Sequence, residues 1–286
     1  MTLDLVIHLD APASHNEIGA DMGNVTLFRR MARVVDGRVI RVPCISAGAL
    51  RGVVRRLLWR ETFDLVGLSR ETVGSPSWDR LYAALANGGT IEAAETRVSP
   101  DVIRARREAL PVLSLLGSAL YSSHMAGRLK LSHAWLDCAE LGTGTLSMHD
   151  LLAEVSTVRH HDAEEQDPDV SGVGPMPTTV EVVVAGATMR ARASIAGDLE
   201  ASAWAHGLDR VEHVGGKSGQ GNGAVHVEHT GDGAAYAWWL AEHQDAVREA
   251  LVKLAADLSV SKKKAKPERK AKPERTDEPA EQKDLF

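Results

Sequence analysis

The sequence predicts an α+β protein, because segments that alternate between apolar and polar residues, as strands do, are interspersed with segments of helical periodicity. An apolar content of 44% over 286 residues is enough to build one large hydrophobic core. No apolar run is long enough to cross a membrane, and the N-terminus lacks the basic and apolar regions of a signal peptide. The sequence therefore predicts a globular cytoplasmic protein with no membrane partner.

The N-terminal part of the chain is predicted to begin with a strand, a loop and a hairpin. Residues 3–9 are rich in Leu, Val and Ile and alternate loosely, which indicates a buried first strand. A polar loop through Gly19 and Gly23 follows this strand. The dipeptide Asp36-Gly37 lies between two β-branched runs, a pattern that is typical of a tight β-hairpin.

Ser46 is the predicted N-cap of a helix that runs from Ala47 to about Trp59. At about 100° per residue, Arg51 and Arg55 share one face of this helix with two glycines, and aliphatic residues occupy the opposite face. Glycine destabilises a helix interior by roughly 0.5–1 kcal/mol relative to alanine. Two glycines beside two arginines therefore predict the close approach of another backbone.

The remaining chain is predicted to hold further strands and helices up to about Leu258. In order they are a helical insertion at 61–109, an apolar segment at 111–120, a strand-like segment at 128–136, a polar segment at 142–178, strands at 180–184 and 189–195, a glycine-rich loop at 215–223, a strand at 224–228 and an amphipathic helix at 235–258. Residues 259–286 contain a short AKPERK repeat without apolar anchors, so this basic tail is expected to be disordered. The predicted domain is residues 1–258.

Arginine is concentrated in one part of a chain whose net charge is −6. Between residues 24 and 60 there are nine arginines and a single acid. Such a group would repel itself unless an anion or a polyanion compensates, so it predicts contact with nucleic acid, with a solvated charged surface as the alternative. The candidate phosphate ligands are Arg29, Arg30, Arg33, Arg51 and Arg55, together with the amides near Ser46.

The glycine-rich loop contains Gly215, Gly216, Lys217 and Ser218. Its lysine follows the glycine pair directly and the loop leads into a strand, so it does not have the spacing or the context of a nucleotide-binding P-loop. Many exposed backbone N–H groups and one lysine can still line a nucleic-acid backbone. The alternative is a plain flexible loop.

The sequence predicts no cofactor and no metal site. Cys44 and Cys138 lie far apart without CxxC spacing and are expected to be buried. The neighbouring residues 160–162 (His-His-Asp) on a polar loop rarely converge on one ion. His15 could act as a general base in RNA cleavage, or it could simply be a hydrogen-bonded loop residue.

The segment VPCISAGALRGVVRRLL (Val42 to Leu58) resembles the small-residue turn and LRG-x-x-R helix of RAMP-superfamily proteins in CRISPR-Cas effectors. Three later segments resemble the same family in the same order. They are LLGSALYSSHMAGRLKLSHAWL, similar to its central helix-to-strand segment; VEVVVAGATMRARASIAG, similar to its paired strands around an A-G-x turn; and VGGKSGQGNGAVHVEH, similar to its glycine-rich loop. The resemblance is spread over most of residues 1–258.

This resemblance implies a ferredoxin-like, RRM-like palm with inserted fingers and a thumb. The polar segment 142–178 occupies the thumb position, where Met148 or Met176 would supply the apolar wedge between bases. The layout is similar to the backbone subunit that coats CRISPR guide RNA, and the ISAGALRG phrase to the type IV branch. The implied partners are the guide RNA, further copies stacked head to tail, other effector subunits and a target nucleic acid paired with the guide.

The family pattern also bears on catalysis. Relatives that cleave target RNA carry an acidic residue before the hairpin, whereas Asp21 is out of register with that position, so a non-catalytic subunit is expected. The alternative is a metal-independent endoribonuclease that processes guide RNA through His15. Such enzymes usually have tandem palms, and this sequence has one LRG-type helix.

The last five residues, QKDLF, resemble the motif by which bacterial proteins dock on the replication sliding clamp. In that motif Leu285 and Phe286 would fill an apolar pocket and Gln282 would make polar contacts. The basic linker before them is long enough for the motif to reach a partner at low entropic cost. An arbitrary polar tail is the alternative.

Overall fold

The computed structural model describes residues 1–22, 25–90, 99–120, 123–158 and 177–260. Its strands are β1 (Thr2–Leu9), β2 (Asn16–Met22), β3 (Val25–Phe28), β4 (Arg30–Val35), β5 (Arg38–Ile45), β6 (Gly117–Leu120), β7 (Ser123–Ala126), β8 (Leu129–Leu131), β9 (Ala134–Leu136), β10 (Leu152–Val158), β11 (Pro177–Val183), β12 (Thr188–Ile195) and β13 (Val225–His229). Its helices are α1 (Ala47–Leu65), α2 (Arg70–Val73), α3 (Ser75–Leu85), α4 (Pro100–Ala109), α5 (Pro111–Leu116), α6 (Asp198–Leu208), α7 (Ala234–Glu242) and α8 (Gln244–Val260).

Within these residues, the largest sheet has seven strands in the order β13-β1-β12-β9-β5-β4, with β8 also paired to β12. All of its strand pairs are antiparallel. Along the chain, α1 comes between β1 and β9, and α6 comes between β12 and β13. This order is the βαββαβ arrangement of the ferredoxin-like fold. The α+β class and the ferredoxin-like palm predicted for this chain are confirmed.

The first strand lies inside this palm, between β13 and β12. The side chains of Leu3, Leu5, Ile7 and Leu9 are at most 1% exposed, and they join a core that includes Trp204 of α6. Burying each such side chain stabilises the fold by roughly 1.5–3 kcal/mol. The intervening residues of β1 point to the other face of the sheet, because strand side chains alternate.

The predicted hairpin is present as β4 and β5, with Val35 opposite Arg38. Asp36 and Gly37 both have positive φ angles, of 49° and 74°, which is the backbone of a two-residue type I′ turn. The hairpin extends the palm beyond β9 and ends directly before α1. A local sequence signal therefore determines one edge of the large sheet.

Helix α1 begins as predicted, since the Ser46 side chain accepts a hydrogen bond from the N–H of Ala49. It continues to Leu65 and not to Trp59, because buried residues such as Phe63 extend its apolar face by a further turn. Gly48 and Gly52 do not meet another backbone within the described chain. Open space surrounds Gly48, and only the Arg56 side chain lies near Gly52.

A second sheet, in the order β10-β11-β3-β2, corrects three predictions made from the sequence. The polar loop after the first strand contains β2, and the polar segment 142–178 contains β10. The segments predicted as strands at 180–184 and 189–195 do not pair with each other. The turn at Gly186, with φ of 83°, directs β11 into the second sheet and β12 into the palm.

The C-terminal helix predicted at 235–258 is two helices, α7 and α8, separated at His243. The His243 imidazole lies 2.8 Å from the Trp239 carbonyl, in the last turn of α7. No Gly or Pro marks this break, so periodicity alone predicts one continuous helix. The helical character expected at 61–109 is present in α2, α3 and α4.

Two smaller findings complete the fold. Cys44 and Cys138 are fully buried thiols, as predicted. Among the helices that the structure describes, none combines the length and the apolar composition needed to cross a bilayer.

Candidate nucleic-acid interface

Two histidines from separate parts of the chain contact the N-terminus of α1. The Ser46 N–H donates to Nε2 of His15 at 3.1 Å, and the Ala47 N–H donates to Nδ1 of His133 at 3.1 Å. A ring nitrogen that accepts a hydrogen bond must be unprotonated. Both imidazoles therefore satisfy amides that a helix start leaves without partners in its own backbone.

His15 is half-buried between β1 and β2, and burial, reinforced by the positive charge of Arg29, lowers its pKa from the usual 6.5. The imidazole is consequently neutral at pH 7. Its Nε2 already accepts the Ser46 N–H, so the lone pair that a general base would need is engaged by the helix. This geometry weighs against the endoribonuclease alternative.

Arg29 lies directly beside this helix start. Its backbone N–H donates to the His15 carbonyl at 2.6 Å, and its carbonyl accepts from the Cys44 N–H at 3.0 Å. Across the described ranges its guanidinium forms no hydrogen bond or ion pair. Because backbone hydrogen bonds fix the position of Arg29 and its guanidinium has no partner among the described residues, this side chain is suited to binding an anion.

The glycine-rich loop is anchored to the same place. The Gly216 N–H donates to the Ser14 carbonyl at 2.8 Å, and the Ser14 hydroxyl donates to the Gly216 carbonyl at 2.9 Å. Because Ser14 precedes His15, the loop lies next to the start of α1. Lys217 has a left-handed backbone, with φ of 59°, and its amino group has no partner among the described residues.

Glycine is required at one position of this loop. Gly215 has φ of 84°, and a Cβ atom there would lie 2.1 Å from the Ser14 carbonyl oxygen. Only glycine allows the two backbones to approach this closely. The predicted residues Gly215 and Gly216 are thus the docking point of the loop, and exposed Ser218 is on its outer turn.

Arg33 and Trp135 form a second part of the surface, of which only Arg33 is predicted from the sequence. The Arg33 guanidinium carbon lies 5.3 Å from the centre of the Trp135 ring, and that ring meets the His133 ring edge to face at 5.9 Å. Alternation in the strand-like segment 128–136 already places His133 and Trp135 on one face. Alternation indicates that these two rings lie together, but it does not show that Arg33 of another strand lies over Trp135.

The structure gives Arg55 a different role from the predicted one. Its side chain is buried, and its guanidinium donates to the carbonyls of Leu85, Leu116 and Gly117 at 3.1, 2.8 and 2.8 Å. Burial, with a contribution from Arg51, lowers its pKa to about 10, so it remains charged at pH 7. Arg55 connects α1 to the end of α3 and to the junction of α5 and β6, and it is not exposed to a phosphate.

Arg30 and Arg51 also have protein partners. Arg30 forms a partly buried ion pair with Glu181 of β11, which links the two sheets. Arg51 donates to the same Leu116 carbonyl as Arg55, at 3.1 Å, from a half-buried position. Of the five predicted arginines, Arg29 and Arg33 are therefore the two without an acidic or carbonyl partner in the described chain.

The structure also places Met148, one of the two residues predicted as the thumb wedge, in a different role. Met148 packs against the core, and its N–H donates to the Glu140 carboxylate at 2.9 Å, so it is not a free apolar wedge. Leu146, which is 54% exposed, is the outward apolar side chain nearby. Met176 and the tail motif of Gln282, Leu285 and Phe286 lie outside the described residues.

The fold is similar to that of solved proteins, although no family model and no curated protein matches the sequence. A chain of the structure described as "Type IV-B CRISPR Complex" aligns with a TM-score of 0.57 and 21% identity, over 80% of this chain and 90% of that chain. The two chains share one fold. Csc2 of Thermofilum pendens covers 91% of this chain and 85% of its own at 17% identity, with a TM-score of 0.39 that is too low to support an argument.

Proposed function

We propose that this protein is a non-catalytic RNA-binding backbone subunit of a type IV CRISPR effector complex. The observation that carries the proposal is the convergence of Arg29, the start of α1 and the glycine-rich loop on one edge of the palm. The fold shared with a chain of the type IV-B complex supports the choice of assembly. The segment Val42 to Leu58, which resembles the RAMP superfamily, contains the first turn of this helix.

The geometry is suited to a nucleic-acid backbone and not to a particular sequence. Arg29 and Lys217 supply two cations that have no partner among the described residues, and the exposed loop supplies backbone N–H groups. Contacts of this kind position a strand without reading its bases. Trp135, with Arg33 over its ring, offers a surface on which a base can stack whatever its identity.

The proposal extends to the partners of the assembled complex. Further copies of the chain would stack head to tail along the guide RNA, beside other effector subunits, and the guide would pair with a target nucleic acid. An open stack follows when the rotation between copies does not close. The arginine-rich segment 24–60 of one copy would meet acidic surface of the next, since the chain as a whole is negative.

Binding to single-stranded RNA, followed by fluorescence anisotropy across a salt series, tests the interface. We expect Arg29→Ala combined with Lys217→Ala to weaken binding about tenfold or more and to flatten the salt dependence. Each lost phosphate contact reduces the log–log slope by about 0.7 for a single strand. The matched control, Arg248→Ala with Lys253→Ala, removes the same charge from exposed positions of α8.

Equal losses in the two double variants would mean that net charge alone governs binding and would contradict the proposed interface. The catalytic alternative is tested on the same protein with a labelled guide precursor and no added metal. We expect no cleavage by the wild type. Cleavage that disappears in His15→Gln would assign the endoribonuclease function instead.

A further inference from the structure

Three potential metal ligands from β1 and β13 meet on the face of the palm opposite the buried side chains of β1. His8 of β1 lies opposite His226 of β13 in the strand register, and Glu228 follows two residues later on the same face. The His8 and His226 rings are stacked, with centres 4.5 Å apart and an interplanar angle of 7°. One ligand atom from each of the three residues lies within 4.8 Å of the other two.

The hydrogen bonds around this cluster leave the two imidazoles with free nitrogens. Nδ1 of His226 is 3.0 Å from the Asp10 carboxylate, so Nε2 of His226 is the nitrogen that remains. Nε2 of His8 is shielded from solvent and has no hydrogen-bond partner in the described chain. It lies 3.4 Å from Oε1 of Glu228. This contact does not form a hydrogen bond, so Nε2 of His8 lies beside the carboxylate with no hydrogen-bond partner among the described residues.

The donor set matches zinc chemistry. Two imidazole nitrogens and one carboxylate oxygen are the three-ligand set of many zinc sites, with water in the fourth position. A carboxylate on the second nitrogen of a ligating histidine, as Asp10 is on His226, is the usual outer partner that orients such a ligand. With metal–ligand bonds of about 2.0–2.2 Å, the ligand atoms must come closer than they are now. The side chains of His226 and Glu228 are exposed and can rotate to do so.

We propose that His8, His226 and Glu228 form a site for a divalent transition metal, preferably Zn²⁺, with Asp10 as the residue that orients His226. The site would join the end of β1 to the start of β13. The segment that contains Ser14 follows β1, and the glycine-rich loop precedes β13. Bound metal would therefore stabilise the strand pair that supports the loop. The proposal does not depend on the RNA-binding function.

Isothermal titration of the full-length, untagged protein with ZnCl₂ tests the site. We expect one tight site in the wild type and its loss in His8→Asn combined with His226→Gln. Asp10→Asn should keep the site but weaken it by about 10–100-fold, the usual effect of removing an outer partner. Changing His160 and His161 to Gln provides the control, because these histidines could bind zinc independently of the palm.

A thermal-unfolding series with the same variants provides a second readout. Zn²⁺ should raise the melting temperature of the wild type and of the His160/His161 variant, and MgCl₂ should not, because magnesium prefers oxygen ligands. Circular dichroism of each metal-free variant verifies that it is folded. Zinc binding that survives the His8/His226 change, or that disappears with His160 and His161, would overturn the proposal.

Discussion

Arg55 lies in a sequence pattern that is typical of a binding surface, but in the structure it is a buried residue that stabilises the fold. Its helical face is shared with glycines and another arginine, so the local pattern predicts a charged surface. The segment that contains Leu116 and Gly117 approaches Arg55 and presents carbonyl oxygens to its guanidinium. Among the described residues no carboxylate pairs with Arg55, so backbone dipoles alone compensate its charge.

Replacing Arg55 with alanine should lower the free energy of unfolding by about 2–4 kcal/mol, because three carbonyls lose charge-assisted hydrogen bonds in a buried place. The neighbouring Arg56 is exposed, and Arg56→Ala should change stability by no more than about 0.5 kcal/mol. Urea unfolding of both variants measures the difference. Equal midpoints would show that Arg55 is not a structural residue.

His15 makes stability depend on pH in a defined direction. Because its folded-state pKa is below 6.5, the unfolded chain binds the proton more tightly than the folded one. This contribution to stability is present above pH 6.5 and is lost as the pH falls through the folded-state pKa. In His15→Gln the side-chain oxygen can accept the Ser46 N–H without titrating, so we expect a flatter profile below pH 6.5.

Urea unfolding at several pH values tests this dependence. The control is His149→Gln, which removes an exposed histidine from a turn before β10. The control should keep the slope of the wild type. If both variants keep it, His15 does not carry the pH dependence.

At the scale of elements, the glycine-rich loop shows how a flexible sequence becomes a fixed structure. Nothing in its composition specifies one conformation, because glycine accepts many backbone angles. Two hydrogen bonds between Ser14 and Gly216 attach it to the chain segment that follows β1. The loop therefore presents Lys217 and its amides at a definite place beside α1.

Gly215→Ala should destabilise the protein by about 1–3 kcal/mol and weaken RNA binding, since the new Cβ would collide with the Ser14 carbonyl and the φ angle is positive. The adjacent Gly216→Ala is the matched control. A Cβ at Gly216 would make only an ordinary contact, 3.5 Å from the Ser14 hydroxyl. Thermal unfolding and RNA anisotropy measure both effects, and equal behaviour of the two variants would contradict the docking geometry.

At the scale of the whole molecule, the proposed function requires a surface that repeats along RNA. The protein mixed with a guide several times longer than one binding site should form assemblies whose mass rises in steps with RNA length. Light scattering after size exclusion measures the mass, and electron micrographs show the shape. A closed two-fold dimer that does not grow with RNA length would contradict head-to-tail stacking.

The C-terminal motif makes a prediction that is independent of the palm. A labelled peptide of residues 277–286 should bind a bacterial sliding clamp, and changing Leu285 and Phe286 to alanine should abolish the signal. Titration followed by anisotropy measures both peptides. Equal binding by the two would leave the motif without a role in clamp docking.

Features that depend on neighbouring residues could be predicted from the sequence. The alternation of β1, the Asp36-Gly37 turn and the Ser46 cap each rest on local backbone preferences, so each was predictable. The division of two successive strands between different sheets was not, because a strand pattern specifies which face is buried but not which partner it pairs with.

The three-dimensional fold determines which polar residues lack a partner among the described residues. The carbonyls around Arg55, the carboxylate beside Arg30 and the imidazole of His133 at the start of α1 all come from distant parts of the sequence. The same is true of His8 and His226, which the antiparallel pairing of β1 with β13 places side by side. Contacts between residues that are distant in sequence determine which of these groups already have hydrogen-bond partners. Spacing along the chain therefore cannot show which groups can still bind a ligand.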